Sequence, residues 1–309
     1  MVDLYLSLGV MFSLSSLAAF AGASLQKRAS RLAVVGVELL ICLAAAAYLN
    51  WLWNRPILSR LLPFSGAIIL SNWLPVIGSF YSGICLRTDR ITRTRRIVLA
   101  GSLVAISGYS LVRPMVGNPP DCVPTALART LDFQTTSSTC SSACAANLLR
   151  LHGVEATEQE MAELCLSRCG THWLGVYRGL KLKTAGTEWD VSVEEISDWQ
   201  LLKGLHKVGI LALSFHTPES GRTSDPEWGF TSEVGHSVLV LKSDRPAQLE
   251  VFDPSPDYGF ETWNESALAS IRSGILLRLV RRDGTQRGVE FDLQALRQAS
   301  DAYPPLVRR

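Results

Sequence analysis

Apolar residues dominate the first third of the chain in four long runs, whereas beyond about residue 209 they come in short bursts of strand length. The runs cover Leu4–Ser24, Leu32–Trp53, Leu61–Leu86 and Ile97–Val116. Each approaches or exceeds the ~20 residues a helix needs to cross a bilayer. None has the amphipathic period of a helix in a soluble core, so buried core helices are the weaker alternative. The pattern predicts a four-helix transmembrane region over residues 1–116, in contact with a lipid bilayer. Its first run starts Met-Val-Asp without a basic leader and is followed by three more, which argues against a cleaved signal peptide. Pro63, Asn72 and Pro75 predict a kinked or re-entrant third segment. Trp51, Trp53 and Trp73 suit interfacial depth, and Glu38 is an acid that either reaches headgroups or meets a partner.

The rest of the chain changes period twice. Residues 117–132 are a Pro-rich connector. Ser137-Ser138-Thr139 supplies N-cap chemistry for a helix from Cys140 to His152, which Gly153 ends. Thr157-Glu158-Gln159-Glu160 reads as a capping box opening a second helix through Leu166. A third helix is predicted over Val193–Leu205, closed near Gly204 or Gly209. Strands are predicted at Gly209–Phe215, His236–Lys242, Leu249–Asp253 and Ile275–Val280, and a last helix at Gln294–Ala302. Helices first and strands second give an α+β domain over residues 133–290, with a helix packed on an antiparallel sheet and a tail at 291–309. The polar loop 216–234 is a candidate rim for a cleft.

Charge sharpens this division. The formal net charge of +2 hides an asymmetry: 11 of the 30 Lys/Arg but only 3 of the 28 acids lie at or before Arg113. The basic residues flank apolar runs and form no patch interleaved with aromatics, so nucleic acid is not an expected partner. Lys27, Arg28 and Arg31 fill the first short loop, and Arg87, Arg90, Arg93, Arg95 and Arg96 the third, against Arg55 and Arg60 in the second. The positive-inside bias therefore places loops one and three in the cytoplasm, and both termini with the C-terminal domain outside it. Cys42 and Cys85 fall in the apolar runs. Cys122, Cys144, Cys165 and Cys169 would allow disulfides in such a compartment, with three connectivities open. Cys165 and Cys169 have no second ligand pair to make a zinc site, and no metal or cofactor is expected.

One set of residues carries chemistry. Gln134 stands six residues before Cys140, which enters a helix; His236 opens a strand after Gly235; Asp253 ends the next strand before Pro254. A helix start favours a thiolate, and a nearby imidazolium favours it further, so Cys140 is the candidate nucleophile and His236 its base. Asp253 on an adjacent antiparallel strand is placed to fix the imidazole, with Asp257 a nearby substitute. Gln134 is the candidate donor to an oxyanion, together with the backbone N–H of Cys140. His152 suits a helix cap or the surface; His172, His206 and His216 lack a following strand and acid.

In their joint order these residues resemble peptidase family C39, the bacteriocin-processing cysteine peptidases with a papain-like fold. The resemblance spans about residues 130–282. It rests on Gln134, Cys140-Ser-Ser-Ala-Cys144, His152-Gly153, Gly235-His236 and Asp253-Pro-Ser-Pro-Asp-Tyr-Gly259, with Glu158–Leu166 and Leu201–Phe215 as supporting stretches. It implies a Cys-His-Asp peptidase domain with Gln134 at the oxyanion, a peptide or protein substrate, and cleavage after small residues such as Gly-Gly. Ser141 replaces the family's glycine after the nucleophile. The apolar runs precede the domain, whereas the family's transporters carry the peptidase first. The nucleotide-binding pattern G-x-x-x-x-G-K-[ST] does not occur, so an ATP-driven transporter would be a separate partner. The expectation is a membrane-anchored cysteine peptidase that processes exported peptides. Two other readings stand beside it: a related Cys-His-Asp acyl-transfer enzyme, and a non-catalytic peptide-binding module.

Overall fold

A computed structural model describes residues 1–89, 91–123, 131–196, 208–215, 235–241, 248–264, 268, 271–285 and 292–301. The chain forms two compact units, Met1–Val116 and Gly117–Arg309.

The first unit contains helices α1 (Val2–Arg28), α2 (Arg31–Trp51), α3 (Ile57–Leu61), α4 (Ala67–Leu70), α5 (Leu74–Arg87) and α6 (Arg93–Val112). Four segments are long and apolar enough to cross a membrane: Val2–Arg28, Arg31–Trp51, Ala67–Arg87 and Arg93–Met115. The third is broken between α4 and α5, where the sequence predicts a kink. Asn72 spends its side chain on the break, donating to the Ser110 carbonyl at 3.1 Å and accepting from Leu74 N at 3.3 Å. Pro75 follows in the first turn of α5, where its missing N–H costs nothing. Helices α1 and α5 approach so closely that a Cβ on Gly22 would lie 2.1 Å from the Phe80 carbonyl oxygen, and one on Gly83 2.0 Å from that of Ala19. Among the described residues, every exposed large apolar side chain lies between Met1 and Val116.

The second unit is α+β. Helices α7 (Cys140–Leu151), α8 (Glu158–Leu164) and α9 (Trp173–Lys183) come before a six-stranded antiparallel sheet, and α10 (Leu293–Asp301) follows it. The strands are β1 (Trp189–Ile196), β2 (Gly209–Phe215), β3 (His236–Val240), β4 (Leu249–Asp253), β5 (Gly259–Trp263) and β6 (Ile271–Arg281), in the order β1-β6-β2-β3-β4-β5. β3 is buried along its whole length, which explains why His-Ser-Val-Leu-Val reads as a continuous run instead of an alternation. α7 is buried from Ser141 to Leu149 and packs on β2 and β3, as well as on α8 and α9.

α7 ends as the sequence predicts. His152 is its C-cap, Gly153 adopts φ +74°, and the Val154 and Gly153 amides donate to the Leu149 and Arg150 carbonyls. α8 stops earlier than expected, at Leu164. Leu166 takes φ +57°, and the Ser167 amide donates to Ala162 O, so the same closure forms on a leucine. The predicted helix over Val193–Leu205 is corrected where it is described: residues up to Ile196 belong to β1, whose Val193 is buried opposite Leu277 of β6. The β-branched residues at 191, 193 and 196 pack on this pleated surface, and the long β6 supplies the partner. Helix α9 and strand β5 were not anticipated. The rest of that helix, His206, His216, the loop 216–234 and the tail from 302 lie outside the described residues.

Candidate active site

The sheet register brings the histidine and the acid together. β3 and β4 pair with Leu239 opposite Phe252 and Val240 opposite Val251. The same offset sets Asp253 opposite Val238, two residues from His236 and on the same face, a diagonal that side chains can span. They do: His236 Nε2 and Asp253 Oδ1 are 2.9 Å apart, both buried. Asp253 Oδ1 also accepts from the Ser255 amide at 2.9 Å, which fixes the carboxylate from below. Asp257, the substitute, is exposed in the turn beyond.

Cys140 is the first residue of α7, half-buried, and its thiol is close enough to the His236 ring for the two groups to interact electrostatically. Burial opposes ionisation of this thiol. The His236 hydrogen bond, the His236 charge and a hydrogen bond from the Ser237 amide outweigh it and hold the pKa below the ordinary 9.0. His236 shifts the other way: burial disfavours its charge, but the Asp253 carboxylate and then Cys140 raise its pKa to about 10. The two shifts describe one state, a thiolate paired with an imidazolium. Burial drives other thiols in the unit upward, Cys122 and Cys165 to about 12 and Cys144 well above the usual value. All seven cysteines are free thiols, and none of the pairings open to Cys122, Cys144, Cys165 and Cys169 is made. Cys144 instead donates to the Ser237 carbonyl at 3.5 Å, and Cys165 is packed beneath Gly179.

Ser237, next to the histidine, docks the whole start of α7. Its amide serves Cys140, its carbonyl Cys144, and its hydroxyl lies 2.8 Å from that of Ser141. The serine in the glycine's place thus has a specific partner on the strand.

Gln134 is 1 % exposed. Its backbone N–H donates to Pro254 O at 2.7 Å, and its side-chain Nε2 to Thr136 O at 2.9 Å, which sets the plane of the amide. The Asp-Pro pair therefore serves twice: Asp253 orients the imidazole and Pro254 anchors the glutamine. The loop from Leu131 to Thr139 is tied at further points. Asp132 N donates to Asn147 Oδ1 and Asn147 Nδ2 returns to Asp132 O, both at 2.9 Å, while the Asp132 carboxylate pairs with Arg150 at 3.0 Å in the interior. Thr139 is the N-cap residue of α7, but its hydroxyl does not cap the helix as predicted. It turns instead toward Thr136 and Glu158.

Glu158, Asp132, Asn147, Arg150 and Ser237 were not singled out for this site from the sequence. Glu158 stands inside the segment read as a capping box, whose acid is Glu160. Thr157 does cap α8 through Glu160 N at 3.1 Å, while the Glu160 carboxylate pairs with Lys183 and that of Glu158 turns inward. The other two described histidines have structural places. His152 Nδ1 meets Leu148 O at 2.8 Å with its ring edge-on to Trp189, and His172 Nδ1 caps α9 by accepting from Leu174 N.

No family model and no curated protein matches this chain. Among solved structures it is similar to the peptidase domain of Streptococcus ComA, a bi-functional ABC transporter involved in a quorum-sensing pathway, with TM-score 0.37 and 19% identity over 49% of this chain and 98% of that one. It is also similar to the peptidase domain of Streptococcus mutans ComA, with TM-score 0.32 and 18% identity over 49% of this chain and 98% of that one. A double-glycine-motif protease from an AMS/PCAT transporter, in complex with its leader peptide, gives TM-score 0.32 and 12% identity over 54% of this chain and 95% of that one. These scores and identities are low, and the functional reading rests on the site's own geometry.

Proposed function

We propose that this chain is a membrane-anchored cysteine peptidase. The observation that carries the reading is the meeting of Cys140 at a helix start with His236, whose ring is held 2.9 Å from Asp253 on the adjacent strand, an arrangement that lowers the thiol pKa and raises that of the imidazole. Structural ion pairs also shift pKa values, but a nucleophile at a helix N-terminus with an oriented base is the arrangement that acyl transfer needs. The Cys140 sulfur attacks the peptide carbonyl carbon and the C=O electrons move to oxygen. The Gln134 side-chain amide and the Cys140 backbone N–H stabilise that oxyanion. The carbonyl re-forms as the C–N bond breaks, and His236 gives its proton to the leaving amine. His236 then takes a proton from water as the water attacks the thioester, releasing the acid and restoring Cys140.

Exported peptides cut after small residues are the substrates the family resemblance suggests, with a separate ABC-type transporter as partner. Four helices of membrane-crossing length and apolarity support an anchor in the bilayer, and the Lys/Arg bias of their loops supports a domain outside the cytoplasm. A non-catalytic binding module finds its best support in Ser141, but the Ser141–Ser237 hydrogen bond gives that serine a place in an intact site. An acyl-transfer enzyme would share every residue named and differ only in its acceptor.

Cys140→Ala tests the proposal. With detergent-solubilised full chain and a peptide carrying a Gly-Gly cleavage site, mass spectrometry is expected to find cleavage with the native protein and a loss of about a thousandfold or more in the variant. Undiminished cleavage by Cys140→Ala removes the assignment. Transfer to an added amine in preference to water selects the acyl-transfer reading.

A further inference from the structure

We infer that Glu158 is a positioning residue for the oxyanion side of this site, its buried carboxylate tying the residue after Gln134 to the residue before Cys140. The inference rests on the peptidase reading and deepens it.

Glu158 opens α8 and is 3% exposed. A carboxylate taken out of water needs hydrogen bonds to every oxygen it can satisfy. Thr135 gives it two: the backbone N–H to Oε1 at 2.9 Å and the hydroxyl to Oε2 at 2.8 Å. The Thr139 hydroxyl is within reach of the same carboxylate and of the Thr136 carbonyl at 3.0 Å. Thr135 follows Gln134, and Thr139 precedes Cys140. One side chain thus reaches the inner flanks of the two donors assigned to the oxyanion, the Gln134 amide and the Cys140 backbone N–H.

A helix-capping purpose does not account for this. Thr157 already caps α8, and no α8 amide is among the partners given above for Glu158. Nor does the loop lack other ties: Asp132 is held by Asn147 and Arg150, and Gln134 N by Pro254. Those contacts fix the outer end and the backbone of Gln134. Glu158 fixes the span between Gln134 and Cys140, which is the distance an oxyanion hole depends on. Burial, opposed by the Thr139 and Thr135 hydrogen bonds, leaves the Glu158 carboxyl raised above its usual range.

Two reagents at one sulfur separate oxyanion positioning from thiolate formation. Iodoacetamide alkylates Cys140 by displacing iodide at a saturated carbon, so no oxyanion develops. p-Nitrophenyl acetate acetylates it through a tetrahedral oxyanion, forming the S–C bond, breaking the ester C–O bond and releasing p-nitrophenolate. Both products are read as mass shifts of the Cys140 peptide in detergent-solubilised full chain. Glu158→Gln and Thr135→Val are each expected to slow acetylation about tenfold or more while alkylation stays within about twofold, and Thr135→Ser to recover native acetylation. Equal slowing of both reactions, or of neither, in Thr135→Val overturns the inference, even should Glu158→Gln fail to fold. A native Cys140 that alkylates at about pH 6 no faster than free cysteine fails at an earlier step and overturns the peptidase reading itself, and this inference with it.

Discussion

The two units of this chain treat polarity in opposite ways. In residues 1–116 the surface is apolar, and the buried polar groups are serines and one asparagine. Some of these bonds are local, Ser7 donating to Asp3 O and Ser59 to Pro56 O, each at 2.7 Å, while Asn72 reaches across to Ser110 and Ser82 to the Ala100 carbonyl. In residues 117–301 the described large apolar side chains are withdrawn from the surface, and the interior admits charge: Asp132, Glu158, Arg178, His236 and Asp253. Arg178 serves the Leu164 carbonyl under α9. His236 and Asp253 lie at the start of α7, Glu158 ties the loop that leads into it, and Asp132 meets Asn147 and Arg150 in its second half. Burying a charge costs several kcal/mol unless it is paired. A domain that buries four of them along one helix and the loop leading into it is spending stability on geometry, and the first unit shows what the same chain does where no such geometry is needed.

The largest expected effect breaks the second unit's central pair. Asp253→Ala leaves His236 without its carboxylate and is expected to lower peptide cleavage by about a hundredfold or more. The pH profile gives the sign. The His236 pKa is raised to about 10, so the imidazolium needed to protonate the leaving amine persists until the pH passes that value. Activity is therefore expected to rise as the thiol ionises below 9.0 and to fall as pH climbs through about 10. Without Asp253 the alkaline limb moves to lower pH, since the carboxylate that holds the proton on the ring has gone. A limb that stays in place assigns that limb to another group.

Next comes the ion pair under the Gln134 loop. Asp132→Ala strands Arg150 in the interior, and breaking a buried pair this way costs about 3–5 kcal/mol. Chemical denaturation of the solubilised chain reads this directly. A loss below about 1 kcal/mol places the pair among weak surface bridges, contrary to its burial.

How much of this was legible differs between the units for a physical reason. The transmembrane-length helices could be read because they answer to one local variable, the length of an apolar run. Even the break at Asn72 and Pro75 follows from local backbone chemistry. In the second unit, Cys140, His236, Asp253 and Gln134 could be proposed because each stands at an element boundary marked by its neighbours. Their meeting depends on the pairing of β3 with β4, which no single segment encodes. α9 was hidden by Gly175 and Gly179, which resemble helix breakers; here they let α9 approach Cys165, where a Cβ would lie 2.1 Å from its carbonyl oxygen or 2.4 Å from its sulfur. The end of α8 was hidden because a leucine, not a glycine, takes the left-handed turn. Glu158 was hidden because it stands inside a capping box whose acid is Glu160, and the box explained the segment without it.

The smallest effect sharpens the comparison most finely, because it sets like against like. Ser13 in α1 donates to Gly9 O at 2.9 Å on an exposed face, a bond within its own helix. Ser141 meets Ser237 at 2.8 Å between two buried elements. Ser13→Ala is expected to change stability by less than about 0.5 kcal/mol. Ser141→Ala and Ser237→Ala should each cost about 1 kcal/mol, because each leaves a buried hydroxyl facing a methyl. Combined, they should cost less than the sum, with a coupling of about 0.5–1.5 kcal/mol, because the second removal has no bond left to break. Ser141→Gly, which restores the residue found in the family this sequence resembles, should keep alkylation of Cys140 within about twofold of native, because the Ser237 amide and the His236 ring both remain to hold the thiolate. Additive single losses would mean that the two hydroxyls answer to different neighbours, and that α7 is docked on β3 by Ser237's backbone alone.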